Sequence, residues 1–309
     1  MIIHQRRFTL LVLERLAASS ANLDQCIFLI EMTAVGCAPE YSVGDREMSD
    51  TKARRVNPLL AKMAAGELAV GMIVRLVRGV EIVAVAKTAG FDCLFLDQEH
   101  NSFSLETISQ ICIASNLAGI TPLVRVVDAN HASIARALEC GAMGVIVPQV
   151  ETAHDAAAVV KAAKFPPLGH RSIAPCLPLL DFRPTPAVEA MQTINDATMV
   201  VVMMESLAAL EAVEEIAAVE GLNMILVGAN DLCNALGLPG QIEHPTVRAA
   251  FEKVAKACSA NGIYLGVGGL GSNPALAKDM ISLGARYATA GADITFFTNA
   301  AIANARKFQ

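Results

Sequence analysis

Four segments of this 309-residue chain carry an apolar run into a group that can hold charge or move a proton. FDCLFLDQEH ends on Asp97, Glu99 and His100, PLVRV carries Arg125, MVVVMME ends on Glu205, and MILVGAND reaches Asp231. Each has a plain structural role when taken singly: an acid behind a strand caps the next helix, Arg125 pairs with Asp128, and His100 is a hydrogen-bonded loop histidine. Their repetition at the same height of successive apolar runs points instead to one shared site. Two carboxylates from neighbouring segments, with water and substrate completing the shell, suit a hard divalent ion such as Mg²⁺ or Mn²⁺. Such an ion leaves room for a 2-oxo acid to chelate through its carboxylate and keto oxygens, and acts as a Lewis acid on the resulting enolate. Arg125 adds a positive fork beside that oxyanion. His100 is the acid/base candidate, since imidazole exchanges protons near neutral pH. The imine alternative needs a lysine inside the sheet, and every lysine falls in a helical, loop or terminal segment.

The elements that must position these groups can be read from periodicity. Short β-rich runs at 68–74, 93–97, 122–126, 144–150, 199–205, 224–228, 263–268 and 286–291 alternate with amphipathic segments such as SLETISQICIASNLAG and HPTVRAAFEKVAKACSANG. Several of these segments open on Ser, Thr or Asn and close near Gly, as helix caps require. Near-continuous apolar strands alternating with helices imply a parallel sheet covered by helices. Eight strands, and no GxGxxG after the first, favour a closed (β/α)8 TIM barrel of α/β class over an open doubly wound sheet. Groups at strand ends then share one rim. GVGGLGS, 266–272, is read as a tight βα turn before a phosphate loop. The proline-rich connection FPPLGHRSIAPCLPLLDFRPTPAVEAMQTIND is long enough to suggest a functional insertion that shapes specificity near the rim.

Composition excludes whole classes of function. Hydrophobic residues make up 54% and charged ones 17%, which implies a large core rather than a disordered chain. A net charge of -6 offers no basic footprint for nucleic acid, and no apolar window of ~18 residues suggests a membrane span. The eight cysteines lack the paired spacing of a zinc site and read as small buried hydrophobes in a reducing, cytoplasmic setting. Residues 1–52 fit poorly with the rest of the chain and are expected to be an N-terminal extension, disordered or not native, with the working chain beginning near Met48. Glu14 and Arg15 break its apolar stretch, which argues against a secretory signal. Residues 53–309 form the barrel.

DxEH, the VRV arginine, LExGA, VPxVET, PPxGxRS, the MES acid and the NDL aspartate occur here in order, and over residues 56–306 the chain resembles the HpcH/HpaI class II pyruvate aldolases. That resemblance implies a barrel that assembles as a hexamer or trimer. It also implies a carbon–carbon lyase that uses Mg²⁺ or Mn²⁺, with Co²⁺ also admissible, to cleave or form 4-hydroxy-2-oxo acids through a pyruvate enolate. The partners would be a small 2-oxo acid, such as pyruvate or oxaloacetate, and an aldehyde. Glu205 and Asp231 would hold the metal, Arg125 the pyruvyl unit, and His100 would be the acid/base. Glu139 in LECGA would orient that histidine, and Asp97 would be a supporting or subunit-interface acid. Backbone at Gly228 and Ala229 would lie against the substrate carboxylate. Departures from the family pattern are Met203 where glutamine is common, and Asn230 and Cys233 in GANDLC, which alter the pocket wall. Oxaloacetate decarboxylases and macrophomate synthase share this chemistry and stay open as alternatives, as does a barrel kept as a non-catalytic scaffold.

Overall fold

The structure is a computed structural model and describes residues 56–174, 176–270 and 273–309. The expectations for residues 1–52, Cys26 and Cys37 lie outside these residues. In chain order the elements are α1 (Pro58–Ala64), β1 (Ala69–Val74), α2 (Glu81–Ala89), β2 (Cys93–Asp97), α3 (Leu105–Ala118), β3 (Thr121–Arg125), α4 (His131–Glu139), β4 (Gly144–Val147) and α5 (Ala153–Ala163). They continue with α6 (Ala187–Ala197), β5 (Met199–Met204), α7 (Leu207–Glu211), α8 (Val213–Ala217), β6 (Met224–Gly228), α9 (Ala229–Ala235), α10 (Pro245–Asn261), β7 (Tyr264–Gly268), α11 (Pro274–Ser282), β8 (Ala285–Ala292) and α12 (Asp293–Ala305). The eight strands pair in sequence order and close into a parallel barrel, as the alternation predicts.

Two cores account for the near-continuous apolar strands. Side chains alternate across a strand, so Leu94, Leu96, Val124, Val145, Val200, Val202, Ile225 and Val227 face outward into the helix layer. Cys93, Phe95, Leu123, Ile146, Met199, Val201, Met203, Met224, Leu226 and Tyr287 fill the barrel interior. Each large side chain so buried contributes ~1.5–3 kcal/mol. Gly71 makes room for one of them: a Cβ there would collide with Tyr287 Oη. Local signals agree with the packing. Ser104 accepts from Thr107 N to open α3, and Gly119 closes it at φ 73°.

The amino-terminal mouth is plugged. Leu59 and Met63 of α1 join the interior cluster, and Asn57 ties the plug down. Its Oδ1 caps α1 by accepting from Leu59 N at 3.0 Å, while its Nδ2 donates to Met143 O and Ala197 O at 3.2 and 2.9 Å.

The proline-rich connection does not lie near the rim, contrary to expectation. It joins the end of α5 to the start of β5, so the βα alternation places it at the amino-terminal face. There Phe165, Leu177, Leu179, Ile194 and Ala197 pack on Met143, and Lys164 Nζ donates to Asn195 O and Thr198 O at 2.6 and 2.5 Å. Burial lowers the Lys164 pKa to about 8.

Cysteines also divide. Cys93, Cys112, Cys233 and Cys258 are buried as expected, but Cys140 is half-buried and Cys176 exposed. Among the described residues no helix is long and apolar enough to cross a membrane.

Candidate active site

The interior parity that selects the core also selects the site. Phe95 faces inward, so Asp97 two residues on does too; Leu123 leads to Arg125, Met203 to Glu205, and Ile73 to Arg75. Asp97 and Arg125 are register partners on adjacent strands. With these odd-numbered positions at the carboxyl-terminal ends of β1, β2, β3 and β5, four charged side chains meet at one mouth of the barrel.

Asp97 is the hub. It is fully buried, and it accepts from Arg125 Nε and Nη2 at 2.9 and 2.6 Å and from Arg75 Nε at 2.6 Å. It also accepts from the backbone N–H groups of Glu99 and His100 at 3.1 and 3.2 Å, which folds the DQEH turn. Burial alone would push its carboxyl upward, but the two guanidinium groups and the His100 N–H outweigh that and hold it below the ordinary value of 3.8. Arg125 is buried as well; its Nη1 ion-pairs with Glu99 Oε2 at 2.8 Å, and its plane lies 5.4 Å from the Phe95 ring centre. The half-exposed His100 imidazole stands 3.8 Å from the same Glu99 oxygen.

Glu205, just past β5, is half-buried, and its Oε1 accepts from Gln149 N at 2.8 Å. Gln149 presents that N–H from a left-handed backbone at φ 56°, which is why β4 stops at Val147 short of the expected 150. Burial is the main reason that the Glu205 carboxyl is pushed up, and the nearby charges of Glu99 and Asp231 add to it. Asp231 sits in the first turn of α9. A Cβ on Gly228 would meet Glu205 Cβ and Oε2 at 3.6 and 3.7 Å, so the acid lies against the turn that leads to Asp231.

Between these groups is a cavity of about 330 Å³, whose wall includes Arg75, His100, Arg125, Gly228, Asn230 and Asp231. The site residues expected on β2, β3, β5 and β6 are therefore brought together, Ala229 among them. Glu139 is not. It is the last residue of α4 and solvent-exposed, and helix ends in this alternation point away from the carboxyl-terminal mouth. The buried cation it influences is Arg171, and within this chain Glu99 is the acid beside His100.

Two residues of this cluster escaped the sequence analysis. Arg75 follows the apolar run AVGMIV as abruptly as Asp97 follows its own, and that signal was available. Asp293, the first residue of α12, is 6% exposed and accepts from the backbone N–H groups of Arg75, Leu76 and Val77 at 2.9 to 3.1 Å, locking the turn that carries Arg75. An acid in a helix first turn looks like an ordinary cap, so nothing in the sequence marks that reach.

Among the described residues no three His, Cys, Asp or Glu side chains gather as a ligand set. The donor set is two carboxylates, Glu205 and Asp231; burial first, and then the charges of Glu99 and Asp231, push the Glu205 carboxyl up. That arrangement fits an oxygen-seeking divalent ion which keeps several waters, and the residues present are compatible with it.

The family model for HpcH/HpaI aldolase/citrate lyase matches residues 78–300. A 4-hydroxy-4-methyl-2-oxoglutarate aldolase of Chaetomium globosum is 40% identical over 80% of this chain and 93% of its own length. A second of that name, from Hapsidospora irregularis, is 41% identical over 75% of this chain and 87% of its own. Among solved structures, an HpcH/HpaI aldolase from Desulfitobacterium hafniense superposes with a TM-score of 0.77 at 30% identity, covering 81% of this chain and 96% of that one. With barrel, rim acids and relatives in agreement, the chain belongs to the HpcH/HpaI aldolase/citrate lyase family.

Proposed function

We propose that this protein cleaves, and in reverse forms, 4-hydroxy-2-oxo acids at the carboxyl-terminal mouth of its barrel. The observation that carries the reading is that Arg125, ion-paired to Glu99, and Asp231 line one cavity, with Glu205 close enough to feel the charges of Glu99, Asp231 and Arg125. Glu205 and Asp231 would hold a divalent ion, Mg²⁺ or Mn²⁺. When bound, that ion supplies Lewis-acid polarisation of the substrate's 2-oxo group.

The chain's own residues do the rest. Backbone at Gly228 and Ala229, with Asn230 in the wall, receives the carboxylate of the pyruvyl unit. Arg125, clamped by Asp97 and Glu99, directs its remaining N–H groups to the 2-oxo oxygen, where negative charge grows. In cleavage the 4-hydroxyl proton leaves toward His100, directly or through one water. The C3–C4 bond breaks, C4 becomes a carbonyl, and the electron pair passes to C3 as the enolate of pyruvate. His100 returns the proton to C3, and Glu99 steadies the imidazole in both halves. The Phe95, Met203 and Leu226 side chains at the cavity floor exclude water from that anion.

Exposed apolar side chains on and just after α12, Phe297 at 67%, Ile302 at 46% and Phe308 at 92%, support assembly into a homo-oligomer. Unpaired buried cysteines support a reducing compartment such as the cytoplasm.

The test is pyruvate release from 4-hydroxy-2-oxo acids, and from oxaloacetate, by full-length protein with Mg²⁺ or Mn²⁺ and with EDTA as control. Release that EDTA abolishes supports the reading. No release from any of these substrates with either ion overturns it.

A further inference from the structure

Arg75 is an arginine whose fork the fold leaves open. Its backbone is fixed by Asp293 from one side, and Asn101 Nδ2 donates to its carbonyl from the other. Its Nε is held by Asp97 Oδ2 at 2.6 Å. The contrast with Arg125 is informative. Arg125 places Nε and Nη2 on Asp97 and Nη1 beside Glu99, whereas among the described residues no hydrogen bond or ion pair is made by either terminal nitrogen of Arg75. A guanidinium anchored through Nε keeps its Nη1/Nη2 edge free, and that edge matches the two oxygens of a carboxylate. The side chain is 34% exposed, and the residue lines the 330 Å³ cavity. An arginine held on three sides with its bidentate edge turned to a pocket is built for an anion from solution.

Barrel order says which anion. Glu205 and Asp231, which take the pyruvyl half in the proposed function, follow the ends of β5 and β6, while Arg75 follows the end of β1 on the other side of the ring. Ile73 and Thr289, its neighbours from β1 and β8, line the same cavity. A substrate held by its C1–C3 portion at β5 and β6, with His100 on β2 beside the scissile bond, extends its C4 substituents toward β1 and β8.

We propose that Arg75 binds a carboxylate carried by C4, so that the half released on cleavage is itself an anionic oxo acid and the substrate is a dicarboxylate, not the adduct of a neutral aldehyde. This inference rests on the aldolase reading and sharpens it. It adds no chemical step: Arg75 holds the same carboxylate before and after the C3–C4 bond breaks.

The experiment compares kcat/KM for 4-hydroxy-4-methyl-2-oxoglutarate with that for 4-hydroxy-2-oxopentanoate, which keeps the C4 methyl group and has hydrogen in place of the C4 carboxylate. Wild type, Arg75→Met and Arg75→Lys are measured with Mn²⁺ present. Deuterium exchange into the methyl group of pyruvate by wild type serves as an independent arm. The wild type should prefer the dicarboxylate. Arg75→Met should lower the dicarboxylate-to-neutral ratio by ~10–100-fold, and Arg75→Lys should restore part of it, since a charge remains without the fork. The ratio cancels any general damage that loss of the Asp97 contact does to the site. An unchanged ratio in Arg75→Met, or a wild type that prefers the neutral substrate while exchanging pyruvate protons, overturns the role of Arg75 and leaves the aldolase reading standing. Absence of both exchange and cleavage in wild type removes that reading and this inference with it.

Discussion

Replacing Asp97 by asparagine keeps the size of the side chain and removes the charge that two guanidinium groups share. Oδ2 now accepts from both Arg75 Nε and Arg125 Nη2, and Oδ1 from Arg125 Nε and two backbone N–H groups. An asparagine amide in either orientation turns an NH2 toward at least one guanidinium N–H, so donors face donors in a buried place. Removing one partner of a buried ion pair costs ~3–5 kcal/mol, a large part of the ~5–15 kcal/mol that holds a typical domain folded. Asp97→Asn should lower unfolding stability by that amount in urea. Far-UV circular dichroism is the suitable probe, since the chain contains no tryptophan. The pH dependence has a definite sign. The folded carboxyl of Asp97 lies below the ordinary value of 3.8, so its stabilisation is fully present above that value and is lost as pH falls through the lower, folded one. The gap between wild type and variant should therefore be constant from neutrality to about pH 5 and narrow in stronger acid. A loss below ~1 kcal/mol, typical of a surface change, or a gap that stays constant into strong acid, would refute the view of Asp97 as a buried charge hub.

Other outcomes rest on the same geometry. Gly228→Ala should lower pyruvate release by ~10-fold while costing less than ~1 kcal/mol of stability, because its Cβ would crowd the movable Met203 Cε at 3.2 Å and narrow the cavity beside Glu205. His100→Asn should reduce kcat by ~10²–10⁴-fold without a matching rise in KM, as steady-state kinetics would show. Asn57→Ala should cost ~1–3 kcal/mol in urea unfolding and leave turnover intact, since it loosens only the amino-terminal plug. Glu139→Ala should leave turnover within ~2-fold of wild type; a pH–rate profile that moves with this substitution would put the residue back beside His100.

Most of the barrel was legible because both faces of its strands are buried. The strands at 93–97 and 224–228 match their expected bounds, and the others differ by a residue or two, except β4, where Pro148 and the left-handed Gln149 end the ladder early. The rim residues were legible for the same reason: a charge directly after an apolar run is either an error or a function. The remaining assignments differ in their grounds. Glu139 was assigned by motif likeness alone, and within the single chain it lies away from His100, exposed at the end of α4. The proline-rich segment was given a rim position on account of its length, although a helix-to-strand connection belongs at the opposite face. Asp293 acts across more than 200 positions of sequence on Arg75 through backbone N–H groups, a partnership that barrel closure creates and no local pattern encodes.

The central claim is that Glu205, just past β5, and Asp231, in the first turn of α9 after β6, together hold one divalent cation at the mouth of the barrel. Titrating full-length protein with Mn²⁺ and following the free ion by electron paramagnetic resonance tests it directly, with Glu205→Gln and Asp231→Asn alongside. Wild type should bind a single Mn²⁺ per chain, and each substitution should weaken binding by ~100-fold or more. Undiminished binding in Glu205→Gln would contradict the account.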